Sequence, residues 1–259
     1  MRILLELSFR GTNYHGWQIQ PGVVTVQSML QDKISILTQQ EITLVGCGRT
    51  DAGVHARQYF AHFDLLTEQI RLPDKKSLNA ILPLDIVIKN IYRVPDDFNA
   101  RYDAVSRKYI YKIHFNKDPF QCGDSYFLKE SGSLSFDKLN ECNQIILNLK
   151  EFTSFVKSGS GLTKFPCTIF ESRWLKSDSG QFQYHITANR FVRGMVRLIV
   201  GMCLNYALDK ISIQQIQEDL FNKRQITKSW SIAAEGLSLV EIKYPKEKIE
   251  LWKVMRSEL

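Results

Sequence analysis

Nine residues, Gly48-Arg49-Thr50-Asp51-Ala52-Gly53-Val54-His55-Ala56, hold one carboxylate, one guanidinium and two glycines. The segment Ile42-Thr43-Leu44-Val45-Gly46 before them and Tyr59-Phe60-Ala61-His62-Phe63 after them read as strands, so the nine form a loop held between two strands. Glycines there permit unusual backbone angles and let a ligand come close. A carboxylate on such a perch is a candidate nucleophile or base. The plainer alternative is a tight turn in which Thr50 and Asp51 bond local amides. In a closed pocket Asp51 tends to take up a proton, and a nearby guanidinium counters that. Arg49 is too near in sequence to aim at the same spot from an extended segment, so the partner is sought elsewhere.

Arg190, Arg193 and Arg197 are spaced i, i+3 and i+7, which predicts one basic stripe on a long helix over Phe191–Leu208, with Gly194 and Gly201 beside Arg197. The flanking Phe191, Met195, Val196, Ile199 and Val200 argue that this helix is largely buried, and an arginine in such company needs a partner. A third group, Arg101-Tyr102-Asp103-Ala104-Val105-Ser106-Arg107-Lys108-Tyr109-Ile110-Tyr111-Lys112, interleaves cations with tyrosines, as suits stacking on bases and gripping phosphates. Strand alternation puts Tyr109 and Tyr111 on the side of Ile113 and Phe115, which favours core packing for at least one of them and leaves Tyr109 divided between core and site.

Other chemistries find little support. The five histidines show no metal spacing, and His55 and His62 read as loop and sheet residues. Asp96 and Asp97 are chain neighbours and cannot face each other across a sugar. Lys157-Ser158-Gly159-Ser160-Gly161 lacks the ending of a phosphate loop and reads as a plain loop.

The elements that must position these residues follow from periodicity. Residues 2–9 predict a buried strand, and Arg10–Gly22 a polar, aromatic loop. Thr25 caps a helix with Val26, Leu30, Ile34 and Leu37 on one face. After the two strands around Asp51 come a short helix near Lys75–Leu82, stopped by Pro83, and a strand over 85–93. The second half repeats the order: strand Ser106–Phe115, helix Phe136–Leu149, strands Cys167–Leu175 and Phe182–Ala188 joined at Asp178-Ser179-Gly180, the long helix, a short helix ending at Phe221 with Ser212 as cap, and strand Leu237–Tyr244. Two β-α-β-β-α-β runs predict an α+β protein of two ferredoxin-like halves, each with helices on one sheet face and the other face free, and with a cleft between the halves. The seam is placed in Pro95–Arg101, giving halves of residues 1–100 and 101–259.

Bulk properties set wide bounds. The 259 residues are 44% hydrophobic and 24% charged, as in a globular protein with a proper core, and the net charge of +7 permits an anionic partner. Five cysteines without a C-x-x-C spacing suggest reduced, mostly buried thiols. No signal-like or membrane-length apolar run is seen, so the cytoplasm is the expected location and no membrane partner is expected.

Six blocks, in order, resemble the TruA family of tRNA pseudouridine synthases. They are Gly11-Thr12-x-Tyr14-x-Gly16-Trp17-Gln18-x-Gln20 with Thr25-Val26-Gln27; Gly48–His55; Asp96-Asp97-Phe98-Asn99-Ala100-Arg101 with Arg107-Lys108-Tyr109-x-Tyr111; Phe152-Thr153-Ser154-Phe155; Asn189-x-Phe191-x-x-x-Met195-Val196-Arg197-x-Ile199-Val200-Gly201; and Ala234-Glu235-Gly236-Leu237-x-Leu239 through Tyr244-Pro245. The resemblance implies the pseudouridine synthase fold, with the two halves forming a continuous sheet and a central cleft. It implies that Asp51 is the catalytic aspartate, Arg197 its ion-pair partner, and Tyr109 a ring that stacks on the target base. Arg49 would replace the flipped nucleotide, Leu237 would line the pocket, and Arg101 and Arg193 would contact RNA. It further implies uridines 38, 39 and 40 of the tRNA anticodon stem-loop as targets, a homodimer bridged by one tRNA, and no metal or organic cofactor. Arg10, Asn99, Arg190 and Arg193 depart from the family pattern. A non-catalytic tandem RRM-like RNA-binding protein is the alternative from fold alone, although residues 59–63 lack the K/R-G-F/Y start of an RNP1 strand. An RNA glycosidase that releases uracil is a third reading.

Overall fold

The computed structural model describes residues 1–66, 73–129, 134–156, 165–177, 180–250 and 252–254. In chain order the elements are β1 (Arg2–Phe9), α1 (Val26–Thr38), β2 (Val45–Gly46), β3 (His55–Asp64), α2 (Lys75–Ile81), β4 (Ile86–Val94), β5 (Ser106–His114), β6 (Tyr126–Phe127), α3 (Phe136–Asn148), β7 (Ile169–Lys176), β8 (Phe182–Ala188), α4 (Met195–Ala207), α5 (Ile213–Phe221), β9 (Leu237–Lys243), α6 (Lys246–Ile249) and β10 (Lys253–Val254). Contacts group them into two units, residues 1–107 with 239–259, and residues 108–238. The end of the chain therefore belongs with its beginning. The loop read at 157–161 and residues 178 and 179 of the expected turn lie outside the described residues.

In the first unit β1 is paired antiparallel with β3 on one side and β4 on the other. Alternate residues of this central strand point to opposite faces, and Ile3, Leu4, Leu5 and Leu7 are all fully buried, so the sheet is covered on both faces along β1. β10 flanks β4, and β2 and β9 adjoin β3. α1 starts where Thr25 and Ser28 close a reciprocal capping box, worth about 1 kcal/mol. Asp74 caps α2 by accepting from Ser77 N (2.7 Å).

Two expectations change here. The strand read at 42–46 is reduced to Val45–Gly46. Leu44 lies ahead of the ladder and gives its carbonyl to Gln27 Nε2 (2.8 Å) instead. The second sheet face is also not left open. Tyr244 and Trp252 pack on each other and on both Phe60 and Phe98 with ring centroids 5.2–5.8 Å apart, and the Tyr244 hydroxyl donates to the Ala100 carbonyl (2.7 Å). The returning C-terminal segment supplies two of those rings, an arrangement no local pattern encodes.

Glu6 and His62 lie in this packed layer. Burial works to raise the Glu6 carboxyl, but hydrogen bonds from Asn90, Gln58 and Tyr92 outweigh it and hold it below its ordinary value. His62 Nδ1 accepts from the Ala100 amide (3.2 Å), so that nitrogen carries no proton. Burial, with the Arg2 charge nearby, pushes the His62 pKa down to about 4. The unfolded chain then binds a proton near pH 6.5 that the folded one refuses until about pH 4. Stability carried by neutral His62 is full above pH 6.5 and lost as pH falls toward 4. Urea denaturation over that range should show a loss of about 2 kcal/mol, and His62→Asn, which keeps an acceptor without a titrating ring, should flatten it.

In the second unit β8 lies between β5 and β7, and β6 runs parallel to β5. β7 and β8 pair antiparallel from Ile169–Ala188 to Lys176–Phe182, with the turn closed by Ser177 N to Gln181 O (2.8 Å). Trp174, Tyr184, Ile186 and Ala188 of this pair are buried, as are Leu139, Cys142 and Ile146 of α3, which packs on β7 with Ser172 Oγ donating to Asn143 Oδ1 (3.3 Å). Cys47, Cys142, Cys167 and Cys203 are buried and Cys122 is exposed, all as free thiols. No helix among the described residues is long and apolar enough to cross a membrane.

Candidate active site

Asp51 lies in the loop between β2 and β3, and the loop is held by its backbone. Cys47 N donates to Phe60 O (2.8 Å), which extends the β2–β3 pairing by one residue. The Tyr59 hydroxyl donates to Gly48 O. Trp17 N donates to Thr50 O (3.3 Å), Gly53 N to Tyr14 O (3.3 Å), and Val54 N closes a turn onto Asp51 O (3.2 Å).

Two glycines of the 10–22 loop make this docking possible. A Cβ on Gly11 would stand 2.0 Å from Val54 O, and one on Gly16 2.3 Å from Thr50 O. Gly16 also has φ +84°, so it is required twice over. The loop is tied down in turn, since the Tyr14 hydroxyl donates to Asp85 (2.6 Å) and Gly11 N to His55 Nδ1 (3.0 Å). His55, read as a loop residue, is the first residue of β3 and a buried structural acceptor. Behind the loop, Trp17 stacks on Tyr59 at 4.2 Å.

Asp51 is half-buried and Arg49 exposed. The Thr50 hydroxyl oxygen is shut off from solvent and has no hydrogen-bond partner among the described residues. The tight-turn alternative, with Thr50 bonding a local amide, does not describe it.

Arg107 is a residue whose task the sequence reading did not see. Its guanidinium donates to Cys47 O (3.1 Å), Ala104 O (2.8 Å) and Arg101 O (2.6 Å), tying the start of the Asp51 loop to the turn that carries Arg101. Its place beside Lys108 and Tyr109 in a recognisable block was the available signal. Arg101 is exposed, with its guanidinium 5.6 Å from the Tyr102 ring centre. Asn99, one of the departures from the family pattern, accepts the amides of Arg101 (2.9 Å) and Tyr102 (3.1 Å) and so shapes that turn.

In the second unit the two tyrosines divide as alternation allows. Tyr111 is fully buried, donates to Ala233 O (2.8 Å), and is the core residue of the pair. Tyr109 is half-buried, with its ring edge-on to Phe191 at 5.2 Å and 88°. Leu237 is buried at the start of β9.

The long helix is shorter than expected, and the basic stripe is not there. Gly194, at φ 76° and ψ −4°, is the N-cap, and α4 runs only from Met195. A left-handed residue cannot continue a right-handed helix, so Arg190 and Arg193 lie ahead of it and share no helical face with Arg197. Arg190 sits over the Phe165 ring at 4.4 Å, and Arg193 is exposed. Arg197 is the one residue of the 13 in α4 that is not buried.

The segment after α5 runs antiparallel along α4 and meets it at three regular points. Asn205 Nδ2 donates to Lys228 O (2.9 Å), the backbone of Trp230 lies against Gly201, and Arg197 Nε donates to Ile232 O (2.6 Å). Four helical residues rise ~6 Å and two extended residues span ~6.6 Å, so the contacts stay in step. Asp219, itself buried, anchors the segment by accepting from Thr227 N (2.7 Å). The strap therefore fixes the Arg197 guanidinium from one side.

A Cβ on Gly201 would stand 1.9 Å from Trp230 O. Gly201→Ala should accordingly displace the strap, cost about 1–3 kcal/mol and lower Tm by several degrees, with a shift in Trp230 fluorescence as its local sign.

Asp51, Arg49 and Arg101 thus lie in the first unit, and Tyr109, Arg193, Arg197 and Leu237 in the second. Among the described residues no three His, Cys, Asp or Glu side chains are grouped to hold a metal ion.

Known proteins share this sequence almost end to end. The profile of a family described as tRNA pseudouridine synthase matches residues 149–245. The tRNA pseudouridine synthase A of Azobacteroides pseudotrichonymphae genomovar. CFP2 is 39% identical over 244 residues, covering 94% of this chain and 97% of the relative. That of Porphyromonas gingivalis is 38% identical over 251 residues, covering 95% and 98%. That of Staphylococcus aureus (strain MSSA476) is 32% identical over 247 residues, covering 93% and 90%. With identity at this level along nearly the whole of each chain, and with the Asp51 loop and the Arg197 helix both built as folded elements, the protein belongs to the tRNA pseudouridine synthases, a family of isomerases.

Proposed function

We propose that this chain converts uridine to pseudouridine at positions 38, 39 and 40 in the anticodon stem-loop of tRNA. The observation that carries the reading is the Asp51 loop, which is clamped through backbone atoms while its carboxylate is left half-buried. A group that must act on an entering nucleoside needs a rigid mount that a ligand can still reach. The binding-only alternative gives no reason for such a mount, and membership of an isomerase family weighs against it.

In this reading the target base leaves its stack, at a cost of a few kcal/mol. Asp51 acts on the separating sugar and base as the N1–C1′ bond breaks. The base turns, C5 bonds to C1′, the C5 proton leaves and N1 gains one. No external reactant enters, so water must be kept from the sugar. Arg197 is the ion-pair partner of Asp51, Tyr109 stacks on the base, and Leu237 lines the pocket. Arg49, Arg101 and Arg193 hold the RNA.

The work is divided between a first ferredoxin-like half, residues 1–107 with the returning 239–259, carrying the Asp51 loop, and a second of residues 108–238, carrying the Tyr109 strand and the Arg197 helix. The enzyme acts in the cytoplasm as a homodimer bridged by one tRNA, without metal or organic cofactor.

The test is tritium release from tRNA labelled at uridine C5, followed by mapping of pseudouridine in the product. Release with pseudouridine at 38–40 supports the reading. Retention of tritium with tight tRNA binding would leave only the binding function, and free uracil would indicate a glycosidase.

A further inference from the structure

Thr50 stands next to Asp51, and its hydroxyl oxygen is buried without a partner among the described residues. Native proteins leave few such groups, because a buried hydroxyl has lost its water and needs a replacement. The backbone at this position is not free to relieve the problem. Thr50 O is held by Trp17 N (3.3 Å) and closed in by Gly16, whose Cβ, if present, would lie 2.3 Å away. The adjustable part is the side chain, where one χ1 step of about 120° exchanges the hydroxyl with the methyl. Valine would fill the same space without the unmet hydroxyl, so the free fold has no evident use for threonine here. A local rule broken on the same loop as the candidate catalytic carboxylate points to a need that appears only when the site is loaded.

We propose that the Thr50 hydroxyl is a substrate-contacting group whose hydrogen-bond partner is the flipped pyrimidine nucleoside. Uracil offers two carbonyl acceptors and an imide N–H, and the ribose offers hydroxyls, so a group that both donates and accepts can be met by any of them. The proposal rests on the isomerase reading, since it takes the nucleoside beside Asp51 to be the reacting one. It predicts opposite signs for stability and for rate, which a structural threonine does not give.

Thr50→Val and Thr50→Ser would be compared with the unaltered enzyme by thermal denaturation, tRNA affinity and single-turnover tritium release. Thr50→Val should melt at the same temperature or higher, bind tRNA within about threefold, and convert uridine at least about tenfold more slowly. Thr50→Ser, which keeps the hydroxyl, should restore most of the rate. A Val variant that melts lower overturns the proposal, because the hydroxyl would then already have a partner in the free protein. A Val variant that converts uridine at the unaltered rate overturns it as well, and equal losses in Val and Ser assign the effect to the methyl group. Each of those results leaves the isomerase reading intact so long as the unaltered enzyme forms pseudouridine and Asp51→Asn does not. An unaltered enzyme that releases no tritium defeats the isomerase reading itself.

Discussion

Asp51→Asn is expected to abolish pseudouridine formation while leaving the fold and tRNA binding in place. Asparagine has nearly the same shape as aspartate, and the loop is held through its backbone. Its bonds run through Thr50 O, Asp51 O, Gly53 N and Val54 N, all of which survive the change. Thermal unfolding should move by no more than about 2 °C, the scale of a neutral surface change. Removing a group that acts covalently or by charge on the reacting centre lowers turnover by several orders of magnitude, here at least ~10⁴-fold. The dissociation constant for tRNA should change by less than about threefold, because contacts to the rest of a large anionic ligand are untouched. A variant that released tritium at a comparable rate would remove Asp51 from the chemistry.

The second large effect is expected at Arg197, and the informative change is to lysine. Lysine keeps the positive charge but has no Nε, so the 2.6 Å bond to Ile232 O is lost and the charge is no longer aimed by the strap. If the guanidinium acts as an oriented partner of Asp51, Arg197→Lys should lower single-turnover rate by about 10²-fold, or roughly 2.7 kcal/mol of transition-state stabilisation. Binding should again be little affected. Arg197→Met, which keeps the length of the apolar stem, should lose more. Near-normal rates in the lysine variant would mean that a loose charge is enough and that the strap has no part in the reaction. Tm would show whether either variant loosens α4, whose other twelve residues are buried.

Residues close in sequence were legible where local rules act alone. Thr25 before an apolar stripe became a capping box, and Ser212 became the cap of α5, because a cap needs only the following three residues. The strand Phe182–Ala188 has the boundaries that alternation predicts. The Asp51 loop was legible as a chemical site because two glycines, a carboxylate and a guanidinium rarely meet by chance in nine residues. The basic stripe over Arg190, Arg193 and Arg197 does not form, for one local reason. The spacing runs across Gly194, a residue that tolerates the left-handed angle at which helix α4 begins.

From residue types and spacing alone came the order of strands and helices, the loop that carries Asp51, and the likeness to an isomerase family. These depend on short-range periodicity and on a contiguous motif, both of which a linear string retains. Only the folded chain decided that Tyr111 and not Tyr109 is spent on the core, that Arg107 binds the Asp51 loop to residues fifty positions further along, and that the 228–232 segment orients Arg197. It also decided that the Thr50 hydroxyl is buried without a partner among the described residues and that the C-terminal rings close the second face of the first sheet. Each of these depends on which distant atoms fill the same small volume, and close packing, which settles that, leaves no trace in the spacing of residues along the chain.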